Sequence, residues 1–195
     1  MAVTDAYCTA VEYRASIDKV DTSEDAEVLI DLTSVTRYIE KRLAGRFFTK
    51  DAAAVVRIYQ PRWPDFLETD DIVSVTTVKV DADLDGTYET TLTTAEYELW
   101  PRNAGDGSEP SPYTQLRRLT GSWSTTSRVE VTAVYGWPAV PAAIKSACIQ
   151  LTAMLRLETP RAQSQVTDLG AVVSVNAYAR NMIDDLVLHY GRVTI

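Results

Sequence analysis

Three aspartates at alternate positions, Asp81, Asp83 and Asp85, have the spacing closest to a chemical motif in this chain. With Gly86 they match the first half of a calcium loop, in which alternate carboxylates surround a hard cation and the glycine permits a sharp turn. Such a loop closes with a bidentate glutamate at its twelfth position, which is Leu92 here. The flanking residues alternate like strands. We therefore predict a hairpin turn with an acidic tip; a weak cation site at the three aspartates is the alternative.

Other catalytic or cofactor-binding patterns are not indicated. His189 is the single histidine, and no nucleophile accompanies it in a triad pattern, so we predict a partly buried side chain at a helix end. None of the eight glycines falls in a glycine-rich spacing that opens a helix, so no phosphate loop is predicted. Cys8 and Cys148 fit no metal-ligand spacing and favour a reduced pair in a cytosolic protein over a disulfide. The sequence predicts neither an enzyme nor a cofactor.

Four tryptophans lie in or beside the part of the chain that has strand periodicity: Trp63, Trp100, Trp123 and Trp137. One interpretation is core packing and cross-strand pairing. The other is a stacking platform for sugars or bases, although the acidic balance of the chain weakens the version with bases.

Length and charge limit the class of protein. A chain of 195 residues with 46% hydrophobic and 24% charged residues is typical of a globular protein. A net charge of −8 argues against a sequence-specific nucleic-acid reader, but it suits either solubility or a wall past which DNA slides. No apolar run reaches the roughly 20 residues that span a bilayer, and the N-terminus lacks a signal-peptide pattern. We expect a soluble, unexported protein.

Helical periodicity occurs at both ends of the chain, over about residues 9–44 and 141–190. The serine and threonine of segment 21–25 are candidate N-caps for a long helix that ends at Gly45, a left-handed cap. Pro141 is placed to open a third helix. A polar segment at 158–166 is predicted to interrupt the helices, and the last helix is predicted over about residues 177–189.

The middle of the chain, about residues 46–135, has the period of two that is typical of strands. The predicted strands are 54–59, 73–80, 87–92, 97–100, 116–119 and 129–135, and segment 103–112 is predicted as a long surface loop. Elements in this order predict an α+β fold in one domain, residues 1–195. In that domain a helical bundle of about four helices carries an inserted antiparallel β module.

Several short segments of the sequence resemble the head–tail connector (adaptor) proteins of long-tailed double-stranded DNA bacteriophages. A long N-terminal helix ends in Leu43-Ala-Gly-Arg-Phe-Phe48, and residues 78–92 with 97–101 are similar to the β insertion of those proteins. Tyr135-Gly-Trp-Pro-Ala-Val-Pro-Ala-Ala-Ile-Lys145 resembles their junction between the last strand and the third helix. Leu186-Val-Leu-His-Tyr-Gly-Arg192 resembles their final helix and tail.

This resemblance implies a structural protein of the virion neck, present in the host cytoplasm during assembly. It implies a ring, usually of twelve copies, that docks under the portal protein ring and extends the DNA channel. Tail-side stopper or tail-completion proteins would bind the ring, and double-stranded DNA would pass through it without sequence-specific binding. The rival hypothesis is a β-rich decoration module of a virion that recognises glycans through exposed tryptophans.

The C-terminal segment is the predicted contact with the portal or with a neighbouring subunit, through Tyr190, Arg192, Val193 and Ile195. Gly191 allows the chain to leave the helix direction. The apolar residues beside Arg192 suit a tail that docks by strand addition or by filling a groove. The alternative is a frayed terminus.

Overall fold

The computed structural model describes residues 6–106, 109–162 and 169–191. In chain order, the helices and strands of these residues are α1 (Ala10–Ser16), α2 (Asp25–Arg42), β1 (Val55–Tyr59), β2 (Phe66–Asp81), β3 (Thr90–Leu92), β4 (Tyr97–Trp100), β5 (Tyr113–Arg118), β6 (Arg128–Tyr135), α3 (Ala142–Ala162) and α4 (Leu169–Tyr190). The predicted mixed α+β class is confirmed. No helix within the described ranges is long and apolar enough to cross a membrane.

The chain divides into two compact units. The helical unit comprises Met1–Phe47 and Val140–Ile195, and the sheet unit comprises Phe48–Ala139. In the helical unit, α2 packs against α1, α3 and α4, and α3 also packs against α4. The buried stripe of α2 is formed by apolar side chains at helical spacing, namely Val28, Leu32, Val35 and Ile39.

The helix ends follow from local hydrogen bonding. Thr9 caps α1 in a capping box, in which its side chain accepts from the Glu12 amide and the Glu12 carboxylate accepts from the Thr9 amide. The predicted serine or threonine cap of α2 is wrong: its N-cap is Glu24, which makes no side-chain cap hydrogen bond. The Ser23 hydroxyl instead donates to Asp21 at 2.6 Å. Gly45, with a φ of 78°, follows the end of α2 as predicted.

The last two helices are longer than the sequence pattern predicts. The predicted polar break begins at residue 158, but α3 continues to Ala162. The final helix, predicted from about residue 177, begins at Leu169. Polarity alone did not end the helix, because polar side chains leave the backbone hydrogen bonds of a helix intact.

The sheet is antiparallel, with strand order β1-β6-β2-β5-β4, and β3 also pairs with β2. The sixteen-residue strand β2 organises it: its first part pairs with β5, and its second part pairs with β6 and β3. The pairing shifts at irregularities between Ile72 and Ser74 and between Val75 and Thr77. β2 starts earlier than predicted, because residues from Phe66 onward find partners in β5.

The alternation in β6 matches its burial. Its inward side chains Val129, Val131, Ala133 and Tyr135 are buried, and the residues between them are more exposed. They belong to one core cluster that also contains Leu67, Ile72, Val78, Leu92, Tyr97, Leu116 and Trp123. This cluster is the hydrophobic centre of the sheet unit.

Candidate functional site

The acidic turn connects β2 to β3, and the hairpin predicted around the three aspartates is present. Asp81 is fully buried and accepts from the backbone amides of Leu84 at 2.7 Å and Gly86 at 3.1 Å. Asp83 and Asp85 each accept from the amide two residues onward, as aspartates of tight turns do. The first role of these carboxylates is therefore to satisfy the backbone of the turn.

A fourth carboxylate joins this turn in space. Ligand oxygens of Asp81, Asp83, Asp85 and Glu89 all lie within 4.8 Å of one another. The calcium-loop pattern did not predict Glu89, because that pattern requires its closing glutamate at position 92, which is leucine. The signal in the sequence was an acidic residue directly before the strand that follows the turn. Oxygen ligands of this kind suit Ca²⁺. Exposed acidic groups commonly lie close together without a cation, so the geometry alone does not assign a metal ion to this turn.

Two of the four tryptophans are core residues. The Trp123 indole is buried and donates to the Leu116 carbonyl at 3.2 Å. The Trp137 indole is also buried and donates to the Asp71 carboxylate at 3.1 Å. Trp63 is 60% exposed. Core packing is thus correct for Trp123 and Trp137, and neither presents a face on which a sugar could stack.

Trp100 lies on a mixed aromatic and cationic surface of the sheet unit. Its ring meets Phe66 edge-on at a centroid distance of 6.0 Å, and the Arg117 guanidinium lies 5.9 Å from both ring centroids. Arg117 also pairs with Glu98 at 3.1 Å. The hydrogen bonds that Glu98 accepts from Arg102 and Arg117 hold the pKa of its carboxyl below the ordinary value. The Trp100 ring and the Arg117 guanidinium therefore already have neighbours within the sheet unit.

The C-terminal candidates are only partly described. Tyr190 is the last residue of α4 and is half-buried. Its backbone carbonyl accepts a hydrogen bond from Arg46 Nη1 at 2.6 Å. Arg192, Val193 and Ile195 lie outside the described residues. The structure therefore locates the point from which the tail leaves, and the contact assigned to the tail stays a prediction.

His189 is exposed, whereas its position at a helix end predicted partial burial. Its Nδ1 lies 2.8 Å from the carbonyl oxygen of Asp185, one turn earlier in α4. This contact is local to the helix, and it brings no nucleophile to the imidazole.

Exposed apolar side chains offer some area for contact with another molecule. Val56 and Ile58 lie on β1, an edge strand of the sheet, and both are more than half exposed. Leu188 on α4 is 80% exposed. Single exposed apolar side chains are common on soluble proteins, so they do not identify a partner by themselves.

The fold and these features define a mixed α+β protein with a helical unit and an antiparallel sheet unit. Neither a protein-family model nor a curated protein matches the chain. The chain is similar to a chain in the solved structure titled "Virion of native gene transfer agent (GTA) particle", with a TM-score of 0.54 and 20% identity. That match covers 100% of this chain and 94% of the other.

Two further solved chains come from the neck of the same type of particle. One is from the neck of the native particle computed with C12 symmetry, with a TM-score of 0.49, 21% identity and 80% of each chain covered. The other is from the neck of the empty particle computed with C6 symmetry, with a TM-score of 0.46, 23% identity, and 79% of this chain and 80% of that chain covered. At these identities, the full-length match with the virion chain establishes a shared fold.

Proposed function

We propose that this protein is a head-to-tail connector of a bacteriophage or phage-like virion, forming a ring below the portal. The observation that carries the proposal is the fold shared with a gene transfer agent virion chain over the full length of this chain. The sequence segments that resemble phage adaptor proteins support the proposal independently. In this proposal the four helices form a bundle that carries the sheet unit as an insertion, all in one domain.

Several copies of the chain, twelve in the resembling family, would close the ring through a head-to-tail interface. The portal ring would bind one face, and a tail-side stopper or tail-completion protein would bind the other. The net charge of −8 suits a channel wall that DNA passes without sticking. The protein would act in the virion neck, after assembly in the host cytoplasm, and would have no catalytic role.

The tail from Tyr190 onward would make the contact with the portal or with a neighbouring subunit. The Arg46 contact holds the carbonyl of Tyr190, so the chain would leave α4 from a defined point. Arg192 would supply a charge, and Val193 and Ile195 would supply apolar contacts in a groove or beside an exposed strand. The alternative, a glycan-binding decoration module, loses support because Trp123 and Trp137 are buried.

The test combines sedimentation of the purified chain with electron microscopy of the chain, alone and mixed with the portal protein of its own virion. The chain alone should sediment as a monomer or weak oligomer at micromolar concentration, because its net charge makes copies repel. With portal, it should appear as a ring on one face of the portal. A stable ring without portal would show that the subunit interface is stronger than proposed. Failure to bind portal, together with binding to a glycan array, would favour the decoration module.

A variant pair tests the tail in the same experiment. Replacing both Val193 and Ile195 by serine removes the apolar groups but keeps the chain length, and Thr194→Ser is the matched control. The double variant should retain helical circular dichroism and the melting temperature and should lose portal attachment. If the double variant attaches normally, the docking contact lies elsewhere in the chain.

A further inference from the structure

The side of α2 that faces away from its buried stripe is exposed. Four exposed residues lie on this side at helical spacing, and together we call them the α2 face: Ile30, Ser34, Tyr38 and Lys41. Ile30 is 58% exposed and Tyr38 is 49% exposed. The α2 face therefore combines an apolar and an aromatic side chain with an ammonium group.

A second exposed face lies near the end of α4. It also consists of four exposed residues at helical spacing, which we call the α4 face: Asn181, Asp184, Asp185 and Leu188. The buried side chains of the same segment, Ile183 and Leu186, lie on the other side of the helix. Leu188 is 80% exposed. The α4 face therefore has one large apolar side chain beside two carboxylates.

The α2 face is basic. Its ammonium group, that of Lys41, lies in the last turn of the helix. The guanidinium of Arg37, next to the face, lies 2.6 Å from the Glu40 carboxylate, so its charge is already paired within α2. Lys41 therefore supplies the charge that this face presents to another molecule.

The α4 face is acidic. Asp184 lies 3.8 Å from Arg42 with both side chains well exposed, and a surface pair of this length is weak. The Asp185 carboxylate lies 3.5 Å from His189 Nδ1, a contact in which the imidazole is charged only when protonated. Both carboxylates are therefore able to meet a cation of another molecule.

The opposite charges decide which faces can meet. Two α2 faces would bring ammonium groups together, two α4 faces would bring carboxylates together, and both arrangements repel. An α2 face against an α4 face instead places the ammonium beside the carboxylates and buries Leu188 against Ile30 and Tyr38. The apolar side chains alone would not identify a partner, but the charges beside them select the unlike face of a second copy.

We propose that the α2 face of one copy binds the α4 face of the next copy, and that this contact is the head-to-tail interface of the ring. The inference rests on the proposed connector function, which requires such an interface. Each copy has one face of each kind, so copies add in one direction until the ring closes. The faces are small and their charges are solvated, which accounts for the weak association expected without portal.

Carbodiimide cross-linking of the wild-type chain tests which faces meet. The reagent joins an ammonium group directly to a neighbouring carboxylate, so the protein needs no substitution. Mixing isotopically labelled with unlabelled protein distinguishes a link between two copies from a link within one copy. Peptide mapping should recover links between copies from Lys41 to Asp184 or Asp185, with and without portal. Links from Lys41 only to other carboxylates, or only within one copy, would overturn the proposal.

Charge reversal tests the same contact by sedimentation equilibrium over increasing protein concentration. Lys41→Glu should weaken self-association by about fivefold, and adding Asp185→Lys to the same chain should restore it. Both positions are exposed, so circular dichroism should show the helices of each variant intact. Self-association that is unchanged by Lys41→Glu would contradict the assigned interface.

Two control variants separate the contact from the effect of net charge. Lys50→Glu, at an exposed position of the sheet unit, changes the net charge as Lys41→Glu does and should weaken association much less. Glu109→Lys, also exposed in the sheet unit, should fail to rescue Lys41→Glu although it restores the net charge. Equal rescue by Glu109→Lys and Asp185→Lys would mean that only net charge matters, and the proposal would fall.

This interface and the connector function can fail separately. A ring on the portal without links between Lys41 and the α4 face would leave the connector function standing and overturn the interface. Such links between copies that never bind portal would support the interface and contradict the connector function. An assembly that stops at a dimer would mean that both faces pair reciprocally in a closed pair, and it would overturn the head-to-tail arrangement.

Discussion

Arg46 Nη1 lies 2.6 Å from the backbone carbonyl oxygen of Tyr190, so a residue just beyond α2 binds the last residue of α4. The carbonyls in the last turn of a helix have no partners within the helix, and a cation there also opposes the helix dipole. One guanidinium therefore supports the end of α4 directly before the C-terminal tail.

Arg46→Ala should lower the free energy of unfolding by about 1–2 kcal/mol, because it removes a charged donor from a helix-terminal carbonyl. Arg42→Ala is the control: its pair with Asp184 is 3.8 Å long and both side chains are well exposed, so its loss should cost under about 0.5 kcal/mol. Urea unfolding of the two variants gives the comparison. Equal losses would mean that the carbonyl contact adds nothing to the stability of the helical unit.

Trp137→Phe should destabilise the sheet unit by about 1–3 kcal/mol. It removes the indole donor to the buried Asp71 carboxylate and alters the packing against Phe48, whose ring centroid lies 5.2 Å away. Trp63→Phe, at a position 60% exposed, should change stability by no more than about 0.5 kcal/mol. Denaturant unfolding followed by circular dichroism measures both. A larger loss for Trp63 would show that its ring is covered in solution.

Glu12→Gln should lower the melting temperature at neutral pH but not in acid. The Lys145 ammonium, 2.7 Å from the Glu12 carboxylate, and then the Thr9 amide lower the pKa of Glu12. A carboxyl with a lowered folded pKa contributes stability above its unfolded pKa and loses it as the pH falls through the folded value. The gap between variant and wild type should therefore be fully open at pH 7, begin to narrow near about pH 4.3 and disappear as the pH falls through the lowered pKa of Glu12.

Melting curves from pH 7 to pH 3 test this dependence on pH. Glu27→Gln, at an exposed carboxylate in the first turn of α2, is the control and should show a smaller gap throughout. A Glu12 gap that persists unchanged at pH 3 would mean that the carboxylate charge is not the cause.

Calcium should have little effect on thermal stability. Both carboxylate oxygens of Asp81 already accept from the amides of Leu84 and Gly86, so the turn is held without a cation. Millimolar calcium, compared with magnesium at equal ionic strength, should leave the melting temperature unchanged, and so should a chelator. A reproducible rise that is specific to calcium and is abolished by Asp83→Asn would establish a cation site instead.

Local features were largely predictable from the sequence, because each depends on neighbouring residues. The alternation from Val129 to Tyr135 predicted which side of β6 is buried, since side chains of a strand point to opposite faces in turn. Pro141 was predicted to open the third helix, and α3 begins at the next residue; Gly45 predicted the end of α2. The acidic hairpin followed from turn-forming residues between two alternating segments.

Features that join distant parts of the chain were decided by the tertiary structure. At Gly136, a Cβ would clash with the Thr49 carbonyl oxygen, so the approach of another segment requires glycine there. The extension of β2 along β5 and the hydrogen bond from the Tyr7 amide to Thr36 have the same origin. Periodicity reports which side of an element is buried, and it does not report which element covers that side. The choice of partner depends on how all the apolar faces pack together at once.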